Sequence, residues 1–160
     1  MRVGDIMVRT PVSCRGDMNL GEAIEIMWNR NCGILPVVNE QKRVIGVVTD
    51  RDISIALGTR NRLPGEIKIR EVATPNVYSC KASDDVRAAL QTMASAKVRR
   101  LPVLTPAGEL EGILSMDDVV FHAEMANRLS ELSADHVLKT LREVYSAGVP
   151  QRVLEKTVAA

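Results

Sequence analysis

Hydrophobic and polar positions along the chain fall into short blocks that alternate between a helical and an extended rhythm. From Leu20 to Asn31, apolar Leu20, Ala23, Ile24, Met27 and Trp28 recur at the spacing of one helix face. LPVV (35–38) follows as a strand, its Pro near the strand start, where a missing donor costs least. The polar turn NEQKR (39–43) leads to a second strand, VIGVV (44–48), which runs into Thr49 and another helix. The second half reads alike. Val86, Ala89, Leu90 and Met93 form a buried stripe behind Ser83 as expected N-cap. LPVL (101–104) and LEGIL (110–114) are strands around the turn TPAGE (105–109). Short extended segments, Val12–Cys14 and Val77–Cys80, precede the first helix of each half.

The two halves are copies. Shifted by 66 positions, GVVTDRDI (46–53) falls on GILSMDDV (112–119) and ILPVV (34–38) on RLPVL (100–104). Ser13–Cys14 falls on Ser79–Cys80, Ala23 on Ala89 and Met27 on Met93. The period is longer than that of solenoid repeats, and each copy holds several elements, so the chain reads as two duplicated subdomains. The order β-α-β-β-α occurs twice, an α/β (α+β) class with residues 1–60 and 61–122 as the subdomains. Each half alone has a thin core, so the expectation is two pseudo-twofold related halves packed face to face. EIKIREV (66–72) starts the second copy as MRVGDIM starts the first. Residues 123–160 form a helical extension. The helix from Asp117 to about Leu132 carries Val120, Phe121, Met125 and Leu129 on one side. A last helix has Ser133 as cap, then Val137, Leu138, Leu141, Val144 and Tyr145. Gly148 and Pro150 end it, and the final ten residues are expected to fray.

Composition narrows the function. Lys plus Arg is 21 against 20 acids, which weighs against a polyanion and makes nucleic acid an unlikely partner. No apolar run approaches the roughly 20 residues of a membrane span. Three cysteines without metal-ligand spacing suggest reduced thiols and a cytoplasmic protein. Aromatics make up 2%, so a ligand base would lie mostly against aliphatic side chains. His122 and His136 lack the partners of a metal site, and no activated nucleophile or phosphate-binding glycine loop is present. The chain is not expected to be an enzyme or to require a cofactor.

The duplicated LPVV, GVVTDRD and GILSMDD resemble a tandem pair of CBS domains, named after cystathionine beta-synthase and often called a Bateman module. The resemblance covers roughly residues 1–120. It implies a regulatory module that binds adenosine-containing ligands, such as AMP, ADP, ATP or S-adenosylmethionine, in clefts between the two domains. By motif position, Thr49 with Asp52 and Ser115 with Asp118 would hold ribose and phosphate. Ser13 and Ser79 match positions that often contact base or ribose. It also implies a homodimer paired through helices, acting on an effector protein not identified by sequence.

Residue chemistry supports the same reading. A strand-to-helix junction offers free N–H groups and a positive dipole end to phosphate. A hydroxyl at the strand end donates to phosphate or sugar, and an Asp three residues on accepts from paired ribose hydroxyls. Leu35 and Pro36, and Leu101 and Pro102 in the second copy, supply aliphatic lining. Arg99 and Arg100 precede the second copy's strand, where at least one could hold phosphate; Arg51 lies inside the first motif. Asp117 beside Asp118 opposes a polyphosphate unless the arginines offset it. Tyr78 is either a surface for adenine or half-buried packing. Cys14 and Cys80, equivalent in the two copies, fit small-residue packing better than redox work. The rival reading is equally physical: hydroxyl–x–x–acid is also a capping box, which leaves a ligand-independent protein-interaction module as the alternative.

Overall fold

The computed structural model describes residues 1–125 and 132–146; Leu129, Gly148, Pro150 and the last ten residues lie outside them. The element order is α1 (Val3–Ile6), β1 (Val8–Arg9), β2 (Cys14–Arg15), α2 (Leu20–Arg30), β3 (Ile34–Val38), β4 (Val44–Thr49) and α3 (Asp50–Arg60). Two 3-10 turns follow, at Pro64–Glu66 and Ile69–Glu71. Then come α4 (Val86–Ala96), β5 (Arg100–Leu104), β6 (Leu110–Ser115), α5 (Met116–Met125) and α6 (Ala134–Ser146). The class is mixed α/β, with two small three-stranded sheets ordered β2-β3-β4 and β1-β6-β5.

The chain forms two compact units: Arg9–Ser79 with Pro102–Gly112, and Met1–Val8 with Cys80–Leu101 and the described residues from Ile113 on. In the first unit, β2 pairs parallel with β3 (Cys14 opposite Val37), and β3 pairs antiparallel with β4 (Ile34 opposite Thr49). Its core gathers Leu20, Ala23 and Met27 of α2, Leu35 and Val37 of β3, Val48, and Ile53 and Ala56 of α3. Ile67 and Ile69 complete it, both fully buried. They are held by backbone bonds from Ile69 N–H to Met18 O (2.8 Å) and from Leu20 N–H to Ile67 O (3.0 Å). In the second unit, Val3 and Gly4 of α1 donate to Asp84 O and Ala82 O, each at 2.9 Å. Val3 and Ile69 are 66 apart, as are Met18 and Asp84. The opening segment of each copy therefore docks on the other copy's sequence.

Turn chemistry repeats too. Asn39 N–H donates to Arg43 O (3.0 Å) and Thr105 N–H to Glu109 O (2.9 Å). Asn39 Oδ1 and Thr105 Oγ1 accept from the N–H groups of Arg43 and Glu109. Lys42 (φ 60°) and Gly108 (φ 82°) take the left-handed position. Arg43 and Glu109, 66 apart, meet in an antiparallel bridge inside the first unit.

Several expectations need correction. The N-cap of α4 is Asp85 rather than Ser83, its side chain accepting from Arg87 N–H. Asp85 is the counterpart of Asn19, which caps α2 by accepting from Glu22 N–H at 3.0 Å. Val77–Ser79 forms no strand, and Cys80 makes only a β-bridge. Trp28 is 85% exposed and Ile24 39%. At about 100° per residue, Trp28 lies about 80° round the helix from Leu20, outside the buried stripe of Leu20, Ala23 and Met27. Helix α5 begins at Met116, one residue earlier than expected, and its buried face is that of Met116 and Val119 rather than the side expected from Val120 and Phe121. Val120 and Phe121 are consequently exposed. In α6, Val137, Thr140 and Val144 are buried, while Leu138 and Tyr145 face solvent.

Candidate ligand-binding junctions

The first junction lies where β4 ends. Val48 is fully buried and fixes the strand, and Thr49 follows in extended backbone as N-cap of α3. Thr49 Oγ1 donates to Asp52 Oδ2 at 2.6 Å, and Thr49 N–H donates to the same oxygen at 2.9 Å. Asp52 N–H returns a bond to Thr49 Oγ1 at 3.2 Å. In the second unit, Ser115 and Asp118 repeat the set: Oγ to Oδ2 at 2.6 Å, N–H to Oδ2 at 2.8 Å, and Asp118 N–H to Oγ at 3.2 Å. Both pairs are part-buried. The capping geometry is thus fully formed at each junction. The bonds given to each carboxylate fall on Oδ2, which leaves Oδ1 as an acceptor.

Neighbouring groups differ between the copies. Asp50 N–H donates to Gly33 O (3.3 Å), and at the equivalent place Met116 N–H donates to Arg99 O (2.9 Å). Asp50 lies against Gly33, where a Cβ would come 2.9 Å from Asp50 Oδ2. Asp50 Oδ1 accepts from Arg51 N–H at 2.7 Å. In the second copy, Arg99 Nη1 donates to Tyr145 Oη at 3.4 Å, and its guanidinium stands 5.8 Å from that ring's centre. Arg100 Nη2 is 3.9 Å from Asp117 Oδ2, a loose ion pair on an exposed carboxylate.

The remaining candidates disperse. Ser13 lines a cavity of about 490 Å³ with Arg15, Met18, Asn39, Glu40 and Lys42. Val38 also lines it, at the end of β3 remote from Ile34 and Thr49. Thr49 and Asp52 do not line this cavity. Leu35 and Leu101 are fully buried in their cores, and Pro36 and Pro102 are buried beside them, so none of the four presents surface to a base. Ser79 is half-buried, while Arg51 and Tyr78 are exposed. Burial pushes the Cys14 and Cys80 thiols up to about 12. His122 Nδ1 pairs with Asp118 O and His136 Nδ1 with Ser133 Oγ, each at 2.7 Å. Sequence reasoning missed Asp50, Gly33 and Tyr145. The signal for the first two was present: the 66-residue shift sets Gly33 against Arg99 and Asp50 against Met116.

A family model for the CBS domain matches the chain twice, over residues 3–58 and 69–124. The chain belongs to the CBS domain family. An uncharacterized 33.4 kDa protein of Thermofilum pendens is 32% identical to this CBS chain over 125 residues, 78% of it. The chain spans 37% of that relative's length. Among solved structures, the CBS domain pair of protein MJ0100 in complex with 5′-methylthioadenosine and S-adenosyl-L-methionine has a TM-score of 0.71 at 25% identity. The similarity covers 78% of this chain and 98% of that one. CBSX2 in complex with AMP has a TM-score of 0.68 at 25% identity, covering 78% of this chain and 96% of its own.

Proposed function

We propose that this CBS pair is a regulatory module that binds adenosine-containing ligands at the Thr49–Asp52 and Ser115–Asp118 junctions. The observation that carries this is the duplicated hydroxyl–carboxylate pair. Two junctions 66 residues apart hold a hydroxyl and a carboxylate in the same three bonds, each beside the amino end of a helix. A ribose hydroxyl is accepted by Oδ1, and the Thr or Ser hydroxyl turns from the carboxylate toward sugar or phosphate. Arg99 and Arg100 contribute to phosphate contacts at the second junction, and Arg51 to polar contacts at the first. That related CBS structures hold 5′-methylthioadenosine, S-adenosyl-L-methionine and AMP supports the class of ligand. Binding shifts the population of a conformation that a homodimer partner or an effector protein reads. The thiols of Cys14 and Cys80, which form no disulfide, agree with a reducing cytoplasm.

Isothermal titration with AMP, ADP, ATP and S-adenosylmethionine tests this, alongside Asp52→Ala and Asp118→Ala. Saturable binding is expected, with each substitution removing the site at its own junction. No binding and no thermal stabilisation at millimolar ligand would discard the proposal. Two observations favour a second reading, a ligand-independent interaction module: each junction's hydroxyl and carboxylate already satisfy one another as a helix cap, and Trp28 stands 85% exposed on α2.

A further inference from the structure

The two junctions differ in the charge next to the hydroxyl: Asp50 stands at the first, where the second has Met116 and, in place of Gly33, Arg99. Behind Thr49, Gly33 has no side chain, and the Asp50 carboxylate takes the space a Cβ would need. Asp50 Oδ1 also occupies the N–H of Arg51, a donor that faces the end of α3. Behind Ser115, the counterpart of Gly33 is Arg99 and the counterpart of Asp50 is the buried Met116. No carboxylate stands in the equivalent place, and the N–H of Asp117 meets no acceptor among the described residues. Arg99 keeps most of its five donors available, because Tyr145 takes one through a long contact of 3.4 Å. Arg100 adds a second cation, restrained only by the 3.9 Å approach to Asp117.

We infer that the junctions sort ligands by charge: Asp50 excludes phosphate from Thr49–Asp52, which takes an uncharged or cationic adenosine compound, and Arg99 admits a phosphorylated one at Ser115–Asp118. This deepens the reading of both junctions as adenosine sites and rests on it. A phosphate reaching the end of α3 meets a fixed negative charge and an amide already bonded to it. At α5 a phosphate meets a guanidinium and a vacant amide, a charge-assisted contact. Asp50 and Arg99 act here as specificity-determining residues, since the grip on ribose belongs to Asp52 and Asp118. Both are exposed, so the discrimination weakens as salt rises.

Calorimetric titration of the full chain with two probes, AMP and 5′-methylthioadenosine, at low and high salt is the test. In the unsubstituted chain, AMP is expected to fill one site that Asp118→Ala removes and Asp52→Ala leaves. 5′-Methylthioadenosine is expected to fill the site that Asp52→Ala removes. Asp50→Asn, which keeps shape and drops charge, should raise AMP affinity at the first junction at least tenfold, bringing stoichiometry toward two. Arg99→Ala should weaken AMP at least tenfold more than 5′-methylthioadenosine. Binding of both probes without this sorting, or an unchanged AMP isotherm for Asp50→Asn, overturns the inference and leaves the adenosine reading standing. Absence of binding by either probe overturns both.

Discussion

Thr49 Oγ1 lies 2.6 Å from Asp52 Oδ2, so the hydroxyl that caps α3 is itself held by the acid of the same turn. Either substitution, Thr49→Ala or Asp52→Ala, frees backbone donors at the helix start. Each is expected to lower stability by about 1 kcal/mol, the usual cost of a lost N-cap. A urea melt measures it. The double variant should cost little more than the worse single one, because the two side chains share one set of bonds.

Cys14 and Cys80 predict loss of stability in alkali. Their folded pKa is raised to about 12 from an ordinary 9.0, so the folded chain keeps both protons longer than the unfolded chain does. Stability from this source is full below pH 9.0 and drains as pH climbs toward 12. Urea midpoints at pH 8, 9.5 and 10.5 should fall steadily, and less steeply for Cys14→Ala after allowing for its lower starting value. An equal slope in the variant would contradict the assignment.

Glu71 acts at the other end of the pH scale. The Lys68 N–H and then the Arg62 guanidinium hold its carboxyl below the usual value of 4.5. Its contribution is therefore present above 4.5 and is lost as pH falls through the lowered folded value. Glu71→Gln should lower the neutral melting temperature slightly and flatten the acid limb of a thermal melt series by the same small amount, since the side chain is surface-exposed.

Gly46 passes close to the bridge at Thr74: a Cβ there would meet the backbone oxygen of Thr74 at 3.0 Å. Thr74 bridges Val47 through N–H to O bonds of 2.8 and 3.0 Å. Gly46→Ala must push that bridge apart, and a loss of about 1–3 kcal/mol is expected from overpacking. Differential scanning calorimetry reads it directly. Gly58→Ala, with open space around it, is the matched control.

Duplication was legible in the sequence because equivalent residues keep one spacing through helix, turn and strand. That made the strand ends at Thr49 and Ser115 visible before any coordinates. What stayed hidden was partnership. The repeat tells that Val3 matches Ile69, yet not that each docks on the opposite copy, since a shift along one chain carries no information about contact across space. Helix phase was the other weak point. Trp28 and Phe121 are apolar and near the expected stripe, but Trp28 lies about 80° round α2 from Leu20 and Phe121 about 200° round α5 from the buried Val119, so both rings face solvent. At the junctions, the motif named the shared residues and passed over the unlike ones, Gly33 and Asp50, whose meaning appears only when their oxygen and missing Cβ are seen together.

The bridge between Arg43 and Glu109 has a historical reading. Residues one repeat apart that face each other are what an isologous contact on the twofold axis becomes when two identical chains are joined end to end, because only on the axis does position i meet its own counterpart. Fusion then frees the halves to diverge. A symmetric ancestor had to give both junctions the same side chains, and a single chain carrying Gly33 in one copy and Arg99 in the other has escaped that constraint.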